Sequence, residues 1–152
     1  MHNNDVYKTP AECEIVSTRL LNTSRENAFR AWTDPEILKL WWGPAGFTNT
    51  FHEFDPVPGG KWKFTMHGPE KGNYENEAIF LQLVNPSLIA WDRISQPLFR
   101  VVTTFETVEA DKTLLTFRMQ FASKEECDKI RRFAVDKNEE NFDKLEVELA
   151  KM

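Results

Sequence analysis

Between Phe47 and Phe121 the chain is divided by turn residues into six segments, 47–54, 60–67, 73–84, 88–94, 98–108 and 113–121. The separators are Pro56-Val-Pro-Gly-Gly60, Gly68-Pro-Glu-Lys-Gly72, Asn85-Pro-Ser87, Gln96-Pro97 and Ala110-Asp-Lys112. Each offers the backbone conformations that let a chain reverse within a few residues. Alternation in steps of two is clearest in Trp62/Phe64/Met66 against Lys61/Lys63/Thr65, and in Leu115/Phe117/Met119/Phe121 against Thr116/Arg118/Gln120. A strand with one apolar and one wet face, joined to the next by a short turn, belongs to an antiparallel sheet. The pattern therefore predicts a six-stranded meander.

The flanks limit how that sheet can close. Ile15, Val16, Thr18, Leu20 and Leu21 predict a further strand over 14–22. Ser24 suits a helix N-cap, and Ala28, Phe29 and Trp32 at helical spacing predict a short helix ending near Thr33. Asp34-Pro35 opens a second short helix, with Pro where a missing N–H costs nothing, and Gly43-Pro44 stops it. From Ser123 the period changes to that of a helix, with Glu126 completing a capping box. The polar run Asp136-Lys-Asn-Glu-Glu-Asn141 suggests a short helix leading into a longer terminal one. The expected fold is α+β, a curved antiparallel sheet wrapped around a long C-terminal helix with two short helices after the first strand. Residues 1–13 read as a flexible arm and 14–152 as a single domain, since no repeat, low-complexity tract or long loop divides them.

With 152 residues and 41% hydrophobic content, the chain can bury one sizeable core. Its 19 Lys and Arg against 24 Asp and Glu give a net charge of -5 without a basic block, which argues against nucleic acid and anionic membranes as partners. Cys13 and Cys127 lack metal-ligand spacing, and Met-His-Asn-Asn-Asp lacks the basic and apolar parts of a signal peptide, so a cytoplasmic location with reduced thiols is expected. No apolar run reaches the ~20 residues of a membrane span.

Five stretches occur in order along the chain: Ala31-Trp-Thr-Asp-Pro-Glu36, Trp41-Trp-Gly-Pro-Ala-Gly-Phe47, Pro58-Gly-Gly-Lys-Trp62, Met66-His-Gly-Pro69 and Phe99-Arg-Val-Val-Thr-Thr-Phe105. Together they resemble the activator of Hsp90 ATPase homologue-like family of the START-related SRPBCC superfamily, and the resemblance runs from about Ile15 to the end. It implies a helix-grip fold. The terminal helix departs from the family's pattern after Ala134-Val135, where relatives often place Gly and this chain has Asp136-Lys-Asn-Glu-Glu140. Superfamily members bind lipids, hormones or polyketides, act as cyclases, or assist chaperones, so fold alone does not choose among these roles.

A sheet curved around one helix leaves space that side chains of the concave face must line. The residues expected there are Trp62, Phe64, Met66, Tyr74, Phe80, Trp91, Phe105, Phe117 and Met119. His52, Asp92 and Arg93 are the polar groups considered for the same cavity. His52 with Glu75, Glu77 or Asp92 could form an acid/base pair, and Arg93, if it shares the side of Trp91, could anchor a ligand carboxylate. His67 shares parity with Lys61 and Lys63 on the wet face. No nucleophile elbow, phosphate loop or His-based metal set is present, so neither a catalytic residue, a metal nor a cofactor is assigned. The expected function is binding of a small hydrophobic or amphipathic molecule by a monomer or homodimer. Stimulation of a chaperone ATPase, or a cyclase or hydrolase activity in the same cavity, is the alternative.

Overall fold

A computed structural model describes residues 7–152. After a 3-10 turn at Ala11–Cys13 come β1 (Glu14–Leu21), α1 (Arg25–Thr33) and α2 (Pro35–Trp41). The meander follows as β2 (Thr48–Phe54), β3 (Lys61–His67), β4 (Asn73–Val84), β5 (Leu88–Arg93), β6 (Phe99–Glu109) and β7 (Lys112–Gln120), and α3 (Lys124–Leu149) ends the chain. The seven strands form one antiparallel sheet in the order β1-β7-β6-β5-β4-β3-β2, so the first strand pairs with the last.

Local chemistry explains the boundaries. Ser24 Oγ accepts from the Asn27 amide, Asp34 Oδ1 from Glu36, and Ser123 Oγ from Glu126, so each helix begins on a capping side chain. The Pro58-Gly-Gly turn needs its second glycine, because a Cβ on Gly60 would lie 2.0 Å from the carbonyl oxygen of Asp55.

The concave face and α3 enclose the core. Ile15, Leu21, Trp62, Phe80, Trp91, Phe105, Leu115 and Phe142 are buried there, together with Trp32 and Trp41 from the short helices. All five tryptophans join one cluster, with Trp42 at 5.6 Å from Trp41, 5.2 Å from Trp62, 5.8 Å from Trp91 and 5.9 Å from Trp32 between ring centres. Edge-to-face geometry predominates, the arrangement that the ring quadrupoles favour.

Two features differ from the sequence expectation. The terminal segment is one unbroken helix of 26 residues, without a break at the polar run. Asn138 and Asn141 lie on the same side as Ala134, Phe142 and Leu145, and all five are buried. The helical stripe therefore continues through two amides, and no Gly or Pro interrupts it. Residues 7–13, expected within a flexible arm, are fastened to the convex face. Tyr7 covers Leu88, Ala90 and Val102, its hydroxyl donates to Gln82 Oε1 at 2.7 Å, and Arg100 sits 5.6 Å from its ring centre. Those three apolar side chains would otherwise face water. The rest of the expected arm, including His2, lies outside the described residues.

Candidate functional site

Between α3 and the concave face is a cavity of about 120 Å³. Cross-strand register explains why it exists. Trp62 on β3 stands beside Ala78 on β4, Ala78 beside Arg93 on β5, and Arg93 beside Phe99 on β6. Neighbouring strands are about 4.8 Å apart, so a single methyl group lies between two large side chains roughly 10 Å from each other. The gap at Ala78 is roofed by α3.

The wall is aromatic with a few polar groups. Trp42, Trp62, Phe64, Trp91, Phe99 and Phe117 supply rings, Val101 and Met119 complete the apolar part, and Asn76, Glu77, Arg93, Asn138 and Asn141 supply polar atoms. At ~30 Å³ per water, the space holds about four waters, and it is close to a cavity that takes a benzene ring.

Arg93 is the charged group turned toward the core. Its Nε donates to the carbonyl of Ser95 at 3.1 Å, one terminal nitrogen to Asn76 Oδ1 and the other to the carbonyl of Gln96 at 3.0 Å. Its guanidinium carbon also lies 5.7 Å from the ring centre of Phe99. All of these partners are neutral, and no carboxylate pairs with it among the described residues. Burial pulls its pKa below the ordinary arginine value. A guanidinium has five N–H groups, so two remain after these three bonds. Glu77 places its carboxylate oxygens 3.8 and 3.9 Å from Lys61 and Lys63 instead.

Two amides of α3 face the sheet. Asn138 donates to Ser17 Oγ at 3.2 Å and to Met119 Sδ at 3.6 Å, while Asn141 Oδ1 accepts from the Gly43 amide at 3.1 Å. Four buried side-chain polar atoms among the described residues lack a partner: Trp32 Nε1, Asn49 Oδ1, Trp62 Nε1 and Thr103 Oγ1. Of these residues, Trp62 alone lines the cavity, and it is 1% exposed.

Of the residues expected from sequence, Trp62, Phe64, Trp91, Phe117, Met119 and Arg93 surround this space. The others do not. Phe80 lies behind the wall against Phe54 and Trp62, with ring centres at 5.7 and 6.3 Å, and Phe105 packs on Phe29 and Trp32. Met66 sits under Gly43, where a Cβ would meet its Cε at 2.8 Å. Tyr74, 55% exposed, lies near the start of β4 against Phe47.

Asp92 faces outward and holds Arg100 through both carboxylate oxygens at 2.7 and 3.1 Å. His52 is also outside. A bulge after Phe51 makes two successive residues, His52 and Glu53, oppose one position on β3, which returns Phe54 to the core. Thr65 gives its hydroxyl proton to Glu75 Oε1 at 2.7 Å, so His52 Nε2, also 2.7 Å from that hydroxyl, acts as the donor. The acid/base pair considered for the cavity is thus part of a hydrogen-bond chain on the convex face. His67 is there too, between Thr50 and Asn73.

The polar stretch 136–141 of the terminal helix is polar enough in sequence to line a wet mouth, and Asn138 and Asn141 do line the cavity, whereas Trp42, Asn76, Ala78, Phe99 and Val101 are not singled out as cavity residues from sequence. The spacing Ala134, Asn138, Asn141, Leu145 was the available signal for the two amides, since it continues the apolar stripe of α3.

The family model described as "Activator of Hsp90 ATPase homolog 1-like protein" matches residues 22–150. The chain belongs to that family. Family membership and the fold agree with solved structures. A Nitrosomonas europaea protein superposes with a TM-score of 0.84 at 19% identity, over 95% of this chain and 98% of the other. A Rhodobacter sphaeroides protein gives 0.85 at 22% identity, over 95% and 97%. A protein of the same family from Silicibacter pomeroyi gives 0.75 at 18%, over 91% and 98%. These likenesses establish the helix-grip fold of this family member. A search of curated proteins found no match. No helix among the described residues is long and apolar enough to cross a membrane.

Proposed function

We propose that this protein holds a small amphipathic molecule between α3 and the concave sheet. The observation that carries the reading is the unmet polar capacity of an otherwise aromatic cavity: among the described residues Arg93 has no anionic partner and Trp62 Nε1 has no acceptor. A buried donor left unsatisfied costs about 1–3 kcal/mol, more if charged, so a ligand that supplies acceptors recovers stabilisation the free protein forgoes. Apolar rings with a few placed polar groups are the usual composition of a small-molecule site. The lining residues include no His, Cys, Ser or Thr, which favours binding over nucleophilic chemistry. Two free, buried cysteines accord with a reducing, cytoplasmic setting.

Native mass spectrometry of the protein from its own host tests the reading, with Ala78→Leu purified alongside. A compound held at one per chain by the wild type and lost from the variant is the expected result. No compound in either, together with no uptake from a panel of aromatic and lipid molecules, would remove the proposal. The family description also suggests stimulation of a chaperone ATPase, and ATP turnover by the cognate chaperone with and without this protein decides that second reading.

A further inference from the structure

We infer that the class of molecule taken by this cavity is a small aromatic monocarboxylate, its ring among the tryptophans and its carboxylate above Ala78 between Trp62 and Arg93. The inference rests on the binding function proposed above. Three observations specify the chemistry.

The first is size. A cavity of about 120 Å³ is close to the ~150 Å³ that takes one benzene ring, and is too small as it stands for a sterol, a polyketide or an acyl chain. The second is the kind of polar group missing. Trp62 Nε1 can only donate, and Arg93 can only donate while carrying a positive charge. Asn141 has its oxygen committed to Gly43 and its amide nitrogen without a partner among the described residues. Against these donors stands the side-chain oxygen of Asn138, which has no partner among the described residues, so the balance favours a ligand that brings acceptors. A carboxylate brings two oxygens and the charge that Arg93 lacks opposite it.

The third is register. Trp62, Ala78 and Arg93 occupy one row across β3, β4 and β5, with side chains on the concave face. A group above the Ala78 methyl has Trp62 on one side and Arg93 on the other. Beyond it, Trp42 offers a ring whose centre lies 5.8 Å from that of Trp91 and 6.4 Å from that of Phe117. One negative charge matches one guanidinium. A dianion would leave the second charge buried without a counter-ion.

Titration with benzoate and with benzyl alcohol, which keeps the ring and drops the charge, tests this by ¹H–¹⁵N spectra of the indole groups and by calorimetry. Benzoate should shift downfield the indole resonance that is missing in Trp62→Phe, and should bind at least about tenfold tighter than benzyl alcohol, the margin of one charge-assisted bond. Arg93→Met should weaken benzoate by about tenfold or more while leaving benzyl alcohol within about twofold. If Arg93→Met does not fold, Trp62→Phe, which keeps an aromatic six-membered ring and loses the N–H, should still weaken benzoate by about threefold or more.

Equal or tighter binding of benzyl alcohol would overturn the carboxylate assignment and leave cavity binding standing. Failure of both probes to perturb the indole groups would overturn it too, and the comparison with Ala78→Leu would then decide the broader reading separately.

Discussion

Asn141 joins the cavity to the loop after α2: its side-chain oxygen accepts the buried Gly43 amide at 3.1 Å, while the residue itself lines the cavity. The neighbouring turn of α3 completes the attachment. Lys144 Nζ donates to the carbonyls of Gly43, Pro44 and Phe47 at 3.2, 3.3 and 3.0 Å, and Glu140 Oε1 accepts from the Ala45 amide at 3.0 Å. Three helix side chains thus satisfy a backbone that belongs to no helix or sheet, and the residue just before it, Trp42, is a cavity wall. Gly43, at φ +101, supplies a backbone conformation that other residues rarely adopt.

Replacing Asn141 by Leu leaves the Gly43 N–H buried without an acceptor. The expected loss is about 1–3 kcal/mol in urea unfolding, and the indole resonance of Trp42 should move even without ligand. An unchanged midpoint and spectrum would mean that the loop is held by Lys144 and Glu140 alone.

Ala78→Leu places a larger apolar side chain where the sheet leaves a gap. Overpacking a filled core costs about 1–3 kcal/mol, whereas filling a void costs less or is favourable. The expected change is within about 1 kcal/mol, read from chemical unfolding. A loss of about 3 kcal/mol would show the region to be already full.

Arg19 on β1 faces three carboxylates of α3: Glu139 at 2.8 Å, Asp143 at 3.0 Å and Glu146 at 2.5 Å. Its side chain is 18% exposed and the acids 39–70%, so water screens part of the attraction. The side-chain hydrogen bonds to these acids raise the Arg19 pKa, against the opposing effect of burial. Arg19→Met should cost about 1–2 kcal/mol at low salt, and less at about 1 M salt, where screening acts within ~3 Å. A cost independent of salt would assign the effect to packing on Phe142, whose ring centre lies 5.9 Å from the guanidinium carbon.

Cys127 is buried, and burial raises its thiol pKa above the ordinary 9.0 despite the opposing pull of Arg131, whose Nη2 lies 3.3 Å from Sγ. The unfolded chain therefore loses this proton first. The stability contributed by the neutral thiol is fully present below pH 9.0 and is lost as pH rises through the folded-state value. The stability difference between wild type and Cys127→Ala should narrow above pH 9, measured by urea unfolding across pH. A constant difference would contradict the burial of the thiol.

Most of the element order was legible because alternation and turn chemistry act locally. Each meander strand lies within a residue or two of its alternating segment, and Ser24, Asp34 and Ser123 cap the helices. What sequence periodicity could not show was anything set across strands. The side taken by His52 depends on a bulge opposite β3, and the cavity depends on Ala78 falling between Trp62 and Arg93 in register. Arg93 was recognisable as inward only on condition that Trp91 was. Tyr7 carried no signal, because the patch it covers is assembled from β5 and β6.

The pairing of β1 with β7 has a consequence for how the chain comes off the ribosome. Glu14 meets Gln120 across 106 residues of sequence, so β1 has no partner in the sheet until β7 has been synthesised. Until then Ile15 and Leu21, both buried in the finished protein, remain exposed beside an edge that can pair with other chains. Until β7 emerges, an unpaired strand carrying two core side chains is open to pairing with other chains.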